Sequence, residues 1–438
     1  MARKRSPEKE IAIRQFEEHV SRGKVAFFRN YGMDFVMGRR EGPYLYDLDG
    51  EHRLFNLHCN GGVFNLGHRN PELSALLKET LDDLDIGNHH LLSKERAECA
   101  ALLAELLPGD LNYTVFGVGG GEAVDLAIKV ARGYTGKHQI ISAKGGYHGH
   151  TGLALAAGDE TYRKPFGPSF PGFYQVPFGD LEALRSVVSK AETAAVILET
   201  IPATLGIVIP SREYLQGVRE LCDERETLLI IDEVQTGLGR TGKLWAFEHF
   251  DILPDIVVIG KGLSGGLYPI TATVLREPLV SVFDPDPFIH ISTFGGAEIG
   301  CRLAKRVLEI SSTSSFLEHV NHLAEQFRLE LQGLQSKHKK HFLEVRQLGL
   351  MMGLKLNAPI AGPVLTKTAF DHGLLLVYAN NDPSVCQCLP PLNMNPELIP
   401  MVMEQLDSAL AAARKLLPLV KVKRGFERFR NRFRGANK

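Results

Sequence analysis

The stretch from Leu228 to Gly262 reads LLIIDEVQTGLGRTGKLWAFEHFDILPDIVVIGKG. It contains two short runs of apolar residues, LLII and IVVI, and neither run alternates with polar residues. Such runs are typical of strands that are covered on both faces, as in a parallel sheet with helices on each side. Asp232 follows the first run, and Lys261 follows the second after one glycine. Because ligands bind beyond the carboxyl ends of such strands, we expect this acid and this amine to face one crevice.

The same alternation extends outward from about Tyr113 to Val274. The strand-like runs YTVFGV, QIISAK and AAVILET are interspersed with helix-like runs such as EAVDLAIKVARGY and EYLQGVRELCDE. This order indicates a doubly wound α/β core. After about Ser311 long helical runs dominate, with a strand candidate at Met352–Leu356 and a closing helix near residues 396–417.

These patterns predict a division of the chain into four segments. Residues 61–310 would form a large domain and residues 311–420 a small one. Residues 1–60, with the strand pair YLYDLDG and HRLFNL, would join the small domain, and residues 421–438 would form a basic tail. The expected fold class is therefore α/β, with a mainly parallel, doubly wound sheet in the large domain and a smaller α+β domain formed by the chain ends.

The basic tail KVKRGFERFRNRFRGANK carries three phenylalanines near one helical face, namely Phe426, Phe429 and Phe433. A face of this kind suits a membrane surface or a partner protein. We favour a second interpretation, a solvated helix that covers its own protein.

Composition and charge narrow the class of protein. The 50 Lys and Arg residues balance 51 Asp and Glu, so no overall field would attract nucleic acid. No apolar run reaches the roughly 18 to 20 residues of a membrane helix, and the first residues, MARKRSPEKEIAIRQFEEH, lack the apolar core of a signal peptide. With six scattered cysteines, a cytoplasmic location is expected.

Two of the cysteines, Cys386 and Cys388, form an isolated C-x-C pair. A metal site needs further ligands, and no second Cys or His pair stands at a suitable spacing. We therefore expect two loop cysteines and no metal.

Asp232 and Lys261 match two requirements of pyridoxal 5'-phosphate (PLP). A lysine must hold this cofactor as a Schiff base, because an imine exchanges with a substrate amine faster than a free aldehyde condenses with it. A carboxylate must keep the pyridine nitrogen protonated, so that the ring can accept electrons from the substrate. Lys261 is the candidate for the first role and Asp232 for the second, since a carboxylate beside that cation stays ionised.

The cofactor phosphate needs donors that side chains do not obstruct. In FGVGGGEA, Gly119, Gly120 and Gly121 stand between a predicted strand and a helix that begins near Glu122. Backbone amides at such a helix N-terminus form a nest for an anion. The run departs from G-x-G-x-x-G at Glu122, so a nicotinamide cofactor is disfavoured.

The pyridine ring needs side chains on both faces. In GGYHGHTG, Tyr147 stands in a glycine-flanked turn and could stack on one face. Val234, two residues beyond Asp232 and so on the same side of an extended chain, is the candidate for the other face. Gln235 is then close enough to donate to the ring hydroxyl. His148 and His150 could do acid–base work, although histidines in turns are more often structural.

Four segments, DEVQTGLGRTG, PDIVVIGKGLSGGLYPITA, AKGGYHGHTG and HISTFGG, together resemble the class III aminotransferases. These are PLP enzymes of fold type I that include ornithine, acetylornithine, 4-aminobutyrate and diamine aminotransferases. The similarity runs from about Gly42 to Leu417, and DEVQTGLGRTG followed by the spaced PDI and GKG is a highly specific combination.

The resemblance implies a role for each matching residue. Lys261 matches the Schiff-base lysine and proton shuttle, and Asp232 matches the partner of the pyridine nitrogen. Gln235 matches the residue near the ring hydroxyl, and Tyr147 the stacking aromatic.

Two further matches concern the surroundings of the ring. Glu199 matches a glutamate near the ring, and Thr293 matches a threonine that reaches the phosphate of the neighbouring subunit. The second match implies a homodimer with two shared active sites.

Three departures from the family pattern concern the phosphate and the substrate. Residues 119–121 are all glycine where the family usually has Ser-Gly-Thr or Ser-Gly-Ser, which predicts weaker cofactor binding. Thr204 stands where many members carry a gating glutamate, and Gln387 where they carry the arginine that grips a substrate carboxylate. We therefore expect donors that lack a carboxylate near the reacting carbon, or acids held by another cation such as Arg163 or Lys164.

The reaction that fits these parts best is transfer of an amino group from an amine or amino acid to a keto acid or aldehyde. An aminomutase, racemase or lyase acting on one substrate is the alternative within PLP chemistry, because it needs no switching gate. A protein of this fold that only binds or regulates a partner is a third possibility, and intact Lys261 and Asp232 argue against it.

Overall fold

The computed structural model describes residues 5–87, 91–168 and 170–435, with side chains described as far as residue 420. The phenylalanine face expected in the tail therefore lies outside the described side chains. The backbone of the tail continues the last helix as far as Gly435. Within the described ranges, no helix is both long enough and apolar enough to cross a bilayer.

In the described part of the chain the strands form three sheets. The N-terminal strands are β1 (Met37–Glu41), β2 (Tyr44–Asp47) and β3 (Arg53–Asn56). The central strands are β4 (Leu111–Gly117), β5 (Gln139–Ala143), β6 (Phe173–Val176), β7 (Thr193–Glu199), β8 (Leu228–Asp232), β9 (Ile256–Ile259) and β10 (Thr271–Arg276). The C-terminal strands are β11 (Phe342–Leu348), β12 (Met351–Leu356), β13 (Leu374–Leu375), β14 (Val377–Tyr378) and β15 (Val385–Cys388).

Helices precede, separate and follow these strands. Before the central sheet come α1 (Pro7–His19), α2 (Arg22–Asn30), α3 (Cys59–Gly62), α4 (Pro71–Asp83) and α5 (Lys94–Leu106). Within it come α6 (Gly120–Thr135), α7 (Gly152–Ala157), α8 (Glu160–Arg163), α9 (Leu181–Val187) and α10 (Arg212–Glu224). After it come α11 (Glu298–Ser311), α12 (Ser314–Lys337), α13 (Ala361–Asp371) and α14 (Ile399–Gly435).

The central sheet has the strand order β4-β10-β9-β8-β7-β5-β6. The pairs β5–β6, β5–β7, β7–β8 and β8–β9 are parallel. Strand β10 is the exception, since it pairs antiparallel with both β9 and β4. The predicted mainly parallel, doubly wound sheet is confirmed.

Both faces of the central sheet are buried. In β8, Leu229 and Ile231 pack into one hydrophobic core, whereas Ile230 packs into another on the opposite face. Covering on both sides explains why the sequence of this strand shows no alternation of apolar and polar residues.

A third hydrophobic core brings the two ends of the chain together. Phe55 and Leu57 pack in one cluster with Leu374 and Val402. Strand β3 pairs antiparallel with β2, as predicted, and parallel with β13 from the C-terminal part. The smaller α+β unit formed by the chain ends is confirmed, while the residue numbers of the domain boundaries stay a prediction.

Cys386 and Cys388 lie in β15, which pairs with β12 and β14. The expectation of loop cysteines is therefore wrong, because the two thiols are buried in the sheet of the smaller unit. Among the residues that the structure describes, no group of three or more His, Cys, Asp and Glu could hold a metal ion.

Candidate active site

Three strand ends meet at the carboxyl edge of the central sheet. Glu199 ends β7 and is paired in register with Asp232, which ends β8. Asp232 is in turn paired with Val258 of β9, three residues before Lys261. The parallel register thus brings two acids and one amine to the same edge. The two apolar runs predicted Asp232 and Lys261 there, and the register adds Glu199.

Asp232 is held from two sides. Its Oδ2 atom lies 2.9 Å from Nδ1 of His148, and its Oδ1 atom accepts a hydrogen bond of 3.1 Å from the amide of Val234. Burial alone would lower the pKa of His148, but the hydrogen bond and charge of Asp232, with the charge of Glu199, raise it above its ordinary value. The charged form of His148 is therefore favoured, beside the buried carboxylate of Asp232.

Lys261 follows β9 in a strained conformation. Its φ angle is 43°, in the left-handed region that non-glycine residues avoid. Its amine donates a 3.0 Å hydrogen bond to Oε1 of Gln235. Burial lowers the pKa of Lys261, while Asp232 and Glu199 oppose that shift. A lowered pKa increases the share of neutral amine, which is the form that attacks a carbonyl.

A chain of hydrogen bonds leads from Lys261 to the smaller unit. Nε2 of Gln235 donates to Oε1 of Gln387 at 3.4 Å. Gln387 is buried in β15. Two residues singled out separately in the sequence, Gln235 and Gln387, are therefore in contact with each other, and Gln235 contacts Lys261.

Gly61 packs against the side chains of Lys261 and Gln235, and sequence analysis did not single it out. A Cβ atom at Gly61 would lie 3.2 Å from both Cε of Lys261 and Oε1 of Gln235. Its φ angle of 68° is also in the left-handed region. The only signal in the sequence was the pair Gly61–Gly62, whose partners are far away along the chain.

Glu199 supports the turn that carries Tyr147. Its Oε1 atom accepts a 2.8 Å hydrogen bond from the amide of Tyr147. Burial raises the pKa of Glu199 to about 7; His148 and Lys261 lower it, and Asp232 raises it. The carboxyl group therefore titrates near neutrality when the site holds no further charge.

Tyr147 belongs to an aromatic cluster. Its ring centroid lies 5.3 Å from those of both His150 and Tyr162, which are 5.5 Å from each other. The hydroxyl of Tyr162 is buried without a hydrogen bond of good geometry. Thr204 lies near it and donates a 3.0 Å hydrogen bond to the carbonyl of Gly145.

The glycines of residues 119–121 lie where α6 begins, and the N-cap residue Gly119 has no side chain to cap the helix. A Cβ atom at Gly120 would lie 3.5 Å from Val234, and one at Gly121 would lie only 2.6 Å from Thr151. The first amides of a helix have no partner within it. Unobstructed amides next to Val234 suit a phosphate whose ring extends towards Asp232.

Thr293, also predicted to bind the cofactor, does not join the residues at the carboxyl edge of the central sheet in the described structure. It is exposed in the segment before α11. Among the described residues, no hydrogen bond joins it to residues 119–121, Asp232 or Lys261. Its proposed site is in a neighbouring subunit, so its role stays a prediction.

This chain is similar to known proteins over most of its length. A family model described as aminotransferase class-III matches residues 27–410. The chain belongs to the class-III aminotransferase family. An uncharacterized aminotransferase of Archaeoglobus fulgidus is 55% identical over 401 residues, which are 92% of this chain and 94% of the relative. A putrescine aminotransferase of Pectobacterium atrosepticum is 35% identical over 434 residues, 94% of this chain and 92% of the relative.

Solved structures of aminotransferases share the fold. The ornithine aminotransferase of Toxoplasma gondii superposes with a TM-score of 0.84 at 25% identity, covering 93% of this chain and 96% of that one. The acetylornithine aminotransferase of Elizabethkingia anophelis superposes with a TM-score of 0.78 at 26% identity, covering 92% and 99%. The fold is thus that of PLP enzymes of fold type I, as predicted.

Membership of the class-III aminotransferase family confirms three predictions: the chain is an enzyme, it transfers amino groups, and its cofactor is PLP. The residues at the sheet edge fit this cofactor. Asp232 offers a buried carboxylate, Lys261 offers an amine, and the glycines at the start of α6 leave backbone amides without side chains in front of them.

Proposed function

We propose that Lys261 is the lysine that bonds to PLP and that Asp232, aligned by His148, binds the ring nitrogen. The observation that carries this proposal is the convergence of Asp232, Lys261 and the α6 glycines around Val234. We assign to Gln235 the hydrogen bond to the ring hydroxyl and to Tyr147 the stacking contact with the ring.

When bound, PLP supplies an aldehyde carbon that takes up the amino group and a ring that accepts electrons. The protein has to move one proton. We assign that step to Nζ of Lys261, which removes the proton from the amine-bearing carbon of the substrate and returns it to the cofactor side. The lowered pKa of Lys261 suits this work, because the amine must be neutral to accept a proton.

We further propose that the preferred amino donor has no carboxylate next to the reacting carbon. Gln387 and Thr204 carry no charge, and both are engaged by neighbours, Gln387 with Gln235 and Thr204 with Gly145. A neutral amide cannot replace the charge of an arginine that binds a carboxylate. The relative from Pectobacterium atrosepticum, named for the diamine putrescine, supports a diamine as donor.

The electrostatic surroundings of the aromatic cluster favour the same class of donor. Burial is the largest cause of the raised pKa of Tyr162, and the charges of Glu199 and Asp159 raise it further. Burial also raises the pKa of Tyr147, and the charges of Glu199 and Asp232 add to that shift. Negative charge on this side of the site attracts the distal ammonium of a diamine and repels a carboxylate. Tyrosine faces also bind cations.

Half-reactions with single donors test the donor class. Putrescine and glutamate are each mixed with PLP-loaded enzyme, and conversion of the cofactor to its amine form is followed by absorbance. We expect putrescine to react faster by about tenfold or more, and Gln387→Arg to narrow that gap by improving glutamate. Fast reaction of glutamate with the parent enzyme, unchanged by the added arginine, would refute the proposal.

We also propose a homodimer whose active sites are shared. Exposed apolar residues surround Thr293, namely Phe288, Ile289, Ile291 and Phe294. A concentrated exposed apolar patch is typical of an interface with another chain. In the proposed dimer a second copy covers this patch, and Thr293 of one subunit reaches the phosphate site of the other.

Mixed dimers of Lys261→Ala subunits and Thr293→Ala subunits test the shared site. The intact Lys261 then belongs to the subunit that carries Thr293→Ala. In a shared site, the phosphate of the PLP bound to this lysine is contacted by the intact Thr293 of the Lys261→Ala subunit. We expect PLP affinity at that site to equal the parent value. An affinity as weak as in Thr293→Ala homodimers would contradict the arrangement.

A cytoplasmic location completes the proposal. All six cysteines are free thiols, which suits a reducing compartment. Localisation of a tagged full-length chain in its native cell tests it, and recovery from an oxidising compartment would contradict it.

A further inference from the structure

Thr151 stands at the N-cap of α7 but does not cap this helix. Its side chain accepts no hydrogen bond from the first amides of α7, although threonine at this position normally does. Asp125 of α6 has taken over the task, since its Oδ1 atom accepts a 2.6 Å hydrogen bond from the amide of Ala154. The hydroxyl of Thr151 is therefore released from its usual role.

The released hydroxyl faces the start of α6. A Cβ atom at Gly121 would lie 2.6 Å from Oγ1 of Thr151 and 3.2 Å from its Cγ2. The Thr151 hydroxyl thus occupies the place where a side chain at residue 121 would begin. Gly149 packs against the same point, because its own Cβ would lie 2.6 Å from Cα of Gly121.

Glu122, the acidic residue that follows Gly121, directs its carboxylate away from the Thr151 hydroxyl. Glu122 directs Oε2 back to the amide of Val118, which donates a 2.7 Å hydrogen bond. Thr151 itself is exposed. An anion at the N-terminus of α6 would therefore meet backbone amides and the hydroxyl of Thr151.

We propose that Thr151 donates the hydrogen bond to the cofactor phosphate that the glycines of residues 119–121 cannot supply. Where the family usually carries a hydroxyl within this run, this chain carries it on the neighbouring turn, and the glycine at residue 121 makes room for it. The inference rests on the proposed placement of the phosphate at α6. It also changes the prediction of weaker cofactor binding, because the hydroxyl is relocated and not lost.

Paired substitutions at Thr151 test the hydroxyl itself. Thr151→Val keeps the branched shape and removes the donor, whereas Thr151→Ser keeps the donor. The dissociation constant of PLP is measured by titrating the cofactor-free protein. We expect a value about 10-fold or more higher for Thr151→Val and Thr151→Ala, and a value near that of the parent for Thr151→Ser.

Two controls isolate the phosphate. Pyridoxal, which lacks the phosphate, should bind the parent and Thr151→Val equally well. Thr135→Val, at the other end of α6, removes a hydroxyl that donates to the carbonyl of Ala131. It should leave the affinity for PLP unchanged.

A relocation experiment tests the geometry. Gly121→Ser alone places its side chain against Thr151 and should weaken PLP binding. Combining Gly121→Ser with Thr151→Ala removes the clash and restores one hydroxyl, so we expect PLP affinity to recover most of what each single variant loses.

Equal PLP affinity of Thr151→Val and Thr151→Ser would overturn the proposal. An equal loss of affinity for PLP and pyridoxal in Thr151→Val would do the same, since it would indicate a distorted site. Mapping the lysine that bonds to PLP in each variant keeps this test separate from the proposed function, because Lys261 should be modified whichever result is found.

Discussion

Nδ1 of His148 and Oδ2 of Asp232 lie 2.9 Å apart, and both side chains are buried. The pair joins the turn after β5 to the end of β8, over a separation of 84 residues. Nε2 of His148 has no partner among the described residues. His148 therefore acts on Asp232 and serves as a positioning residue for the acid that we propose to bind the cofactor ring.

His148→Gln should slow the reaction with a saturating amine donor by about tenfold or more, because a neutral amide cannot supply the positive charge that His148 places beside Asp232. The cofactor should still bond to the protein. The measurement is the rate of the half-reaction between about pH 6 and pH 9, where the parent and the variant should differ in the shape of the pH profile. His138→Gln, at an exposed residue before β5, is the matched control. A parental rate and profile in His148→Gln would show that the pair is only structural.

Titration of Glu199 should make the cofactor-free protein less stable as the pH rises. The pKa of this buried carboxyl is raised to about 7 in the folded protein from 4.5. A raised pKa means that the stabilising contribution is full below the unfolded value and is lost as the pH rises through 7. Glu233 shifts in the same direction, also to about 7, so Glu199 accounts for only part of the effect.

Thermal melts of the parent and of Glu199→Gln at about pH 5 and pH 8.5 measure this contribution. We expect the parent to lose on the order of 1–3 kcal/mol more stability over this range than the variant. Glu330→Gln, at an exposed residue of α12, should behave as the parent. Identical pH dependence of parent and Glu199→Gln would contradict the assignment.

Gly61→Ala should disturb Lys261 directly. The new Cβ would lie 3.2 Å from the lysine side chain, in a backbone conformation that costs alanine roughly 1–2 kcal/mol. We expect a lower melting temperature and weaker cofactor binding, measured by thermal melts and PLP titration.

The exposed Gly333 of α12 provides a control of opposite sign. A Cβ atom there meets nothing within 4 Å, so Gly333→Ala should stabilise the helix by about 0.5–1 kcal/mol and leave PLP affinity unchanged. Equal stabilisation by both substitutions would mean that the space beside Lys261 is larger than the structure indicates.

The sheet and the pair Asp232–Lys261 could be predicted from the sequence because both depend on local patterns. Buried parallel strands have continuous apolar runs, and their ends fall at one edge. Strand β10 (TATVLR) is antiparallel but nearly as buried as its parallel neighbours, so its direction could not be inferred from composition. Cys386 and Cys388 were assigned to a loop because a short C-x-C segment does not by itself indicate a strand. Its strand conformation depends on pairing with β12, which is distant along the chain.

The finer parts of the site depend on contacts between distant segments. Gly61 matters because Lys261 lies against it, and Thr151 because Gly121 does. No spacing along the chain encodes either contact. The same reason leaves Thr293 a prediction, since its expected partner is in another subunit.

The central claim is that Lys261 bonds to the cofactor, and chemical reduction tests it most directly. The PLP-loaded enzyme is treated with borohydride, which makes the bond between lysine and cofactor permanent, and its peptides are then mapped by mass spectrometry. The account predicts one modified residue, Lys261, and no stable adduct together with no turnover in Lys261→Ala. Modification of a different lysine in the parent enzyme, or substantial turnover by Lys261→Ala, would contradict it.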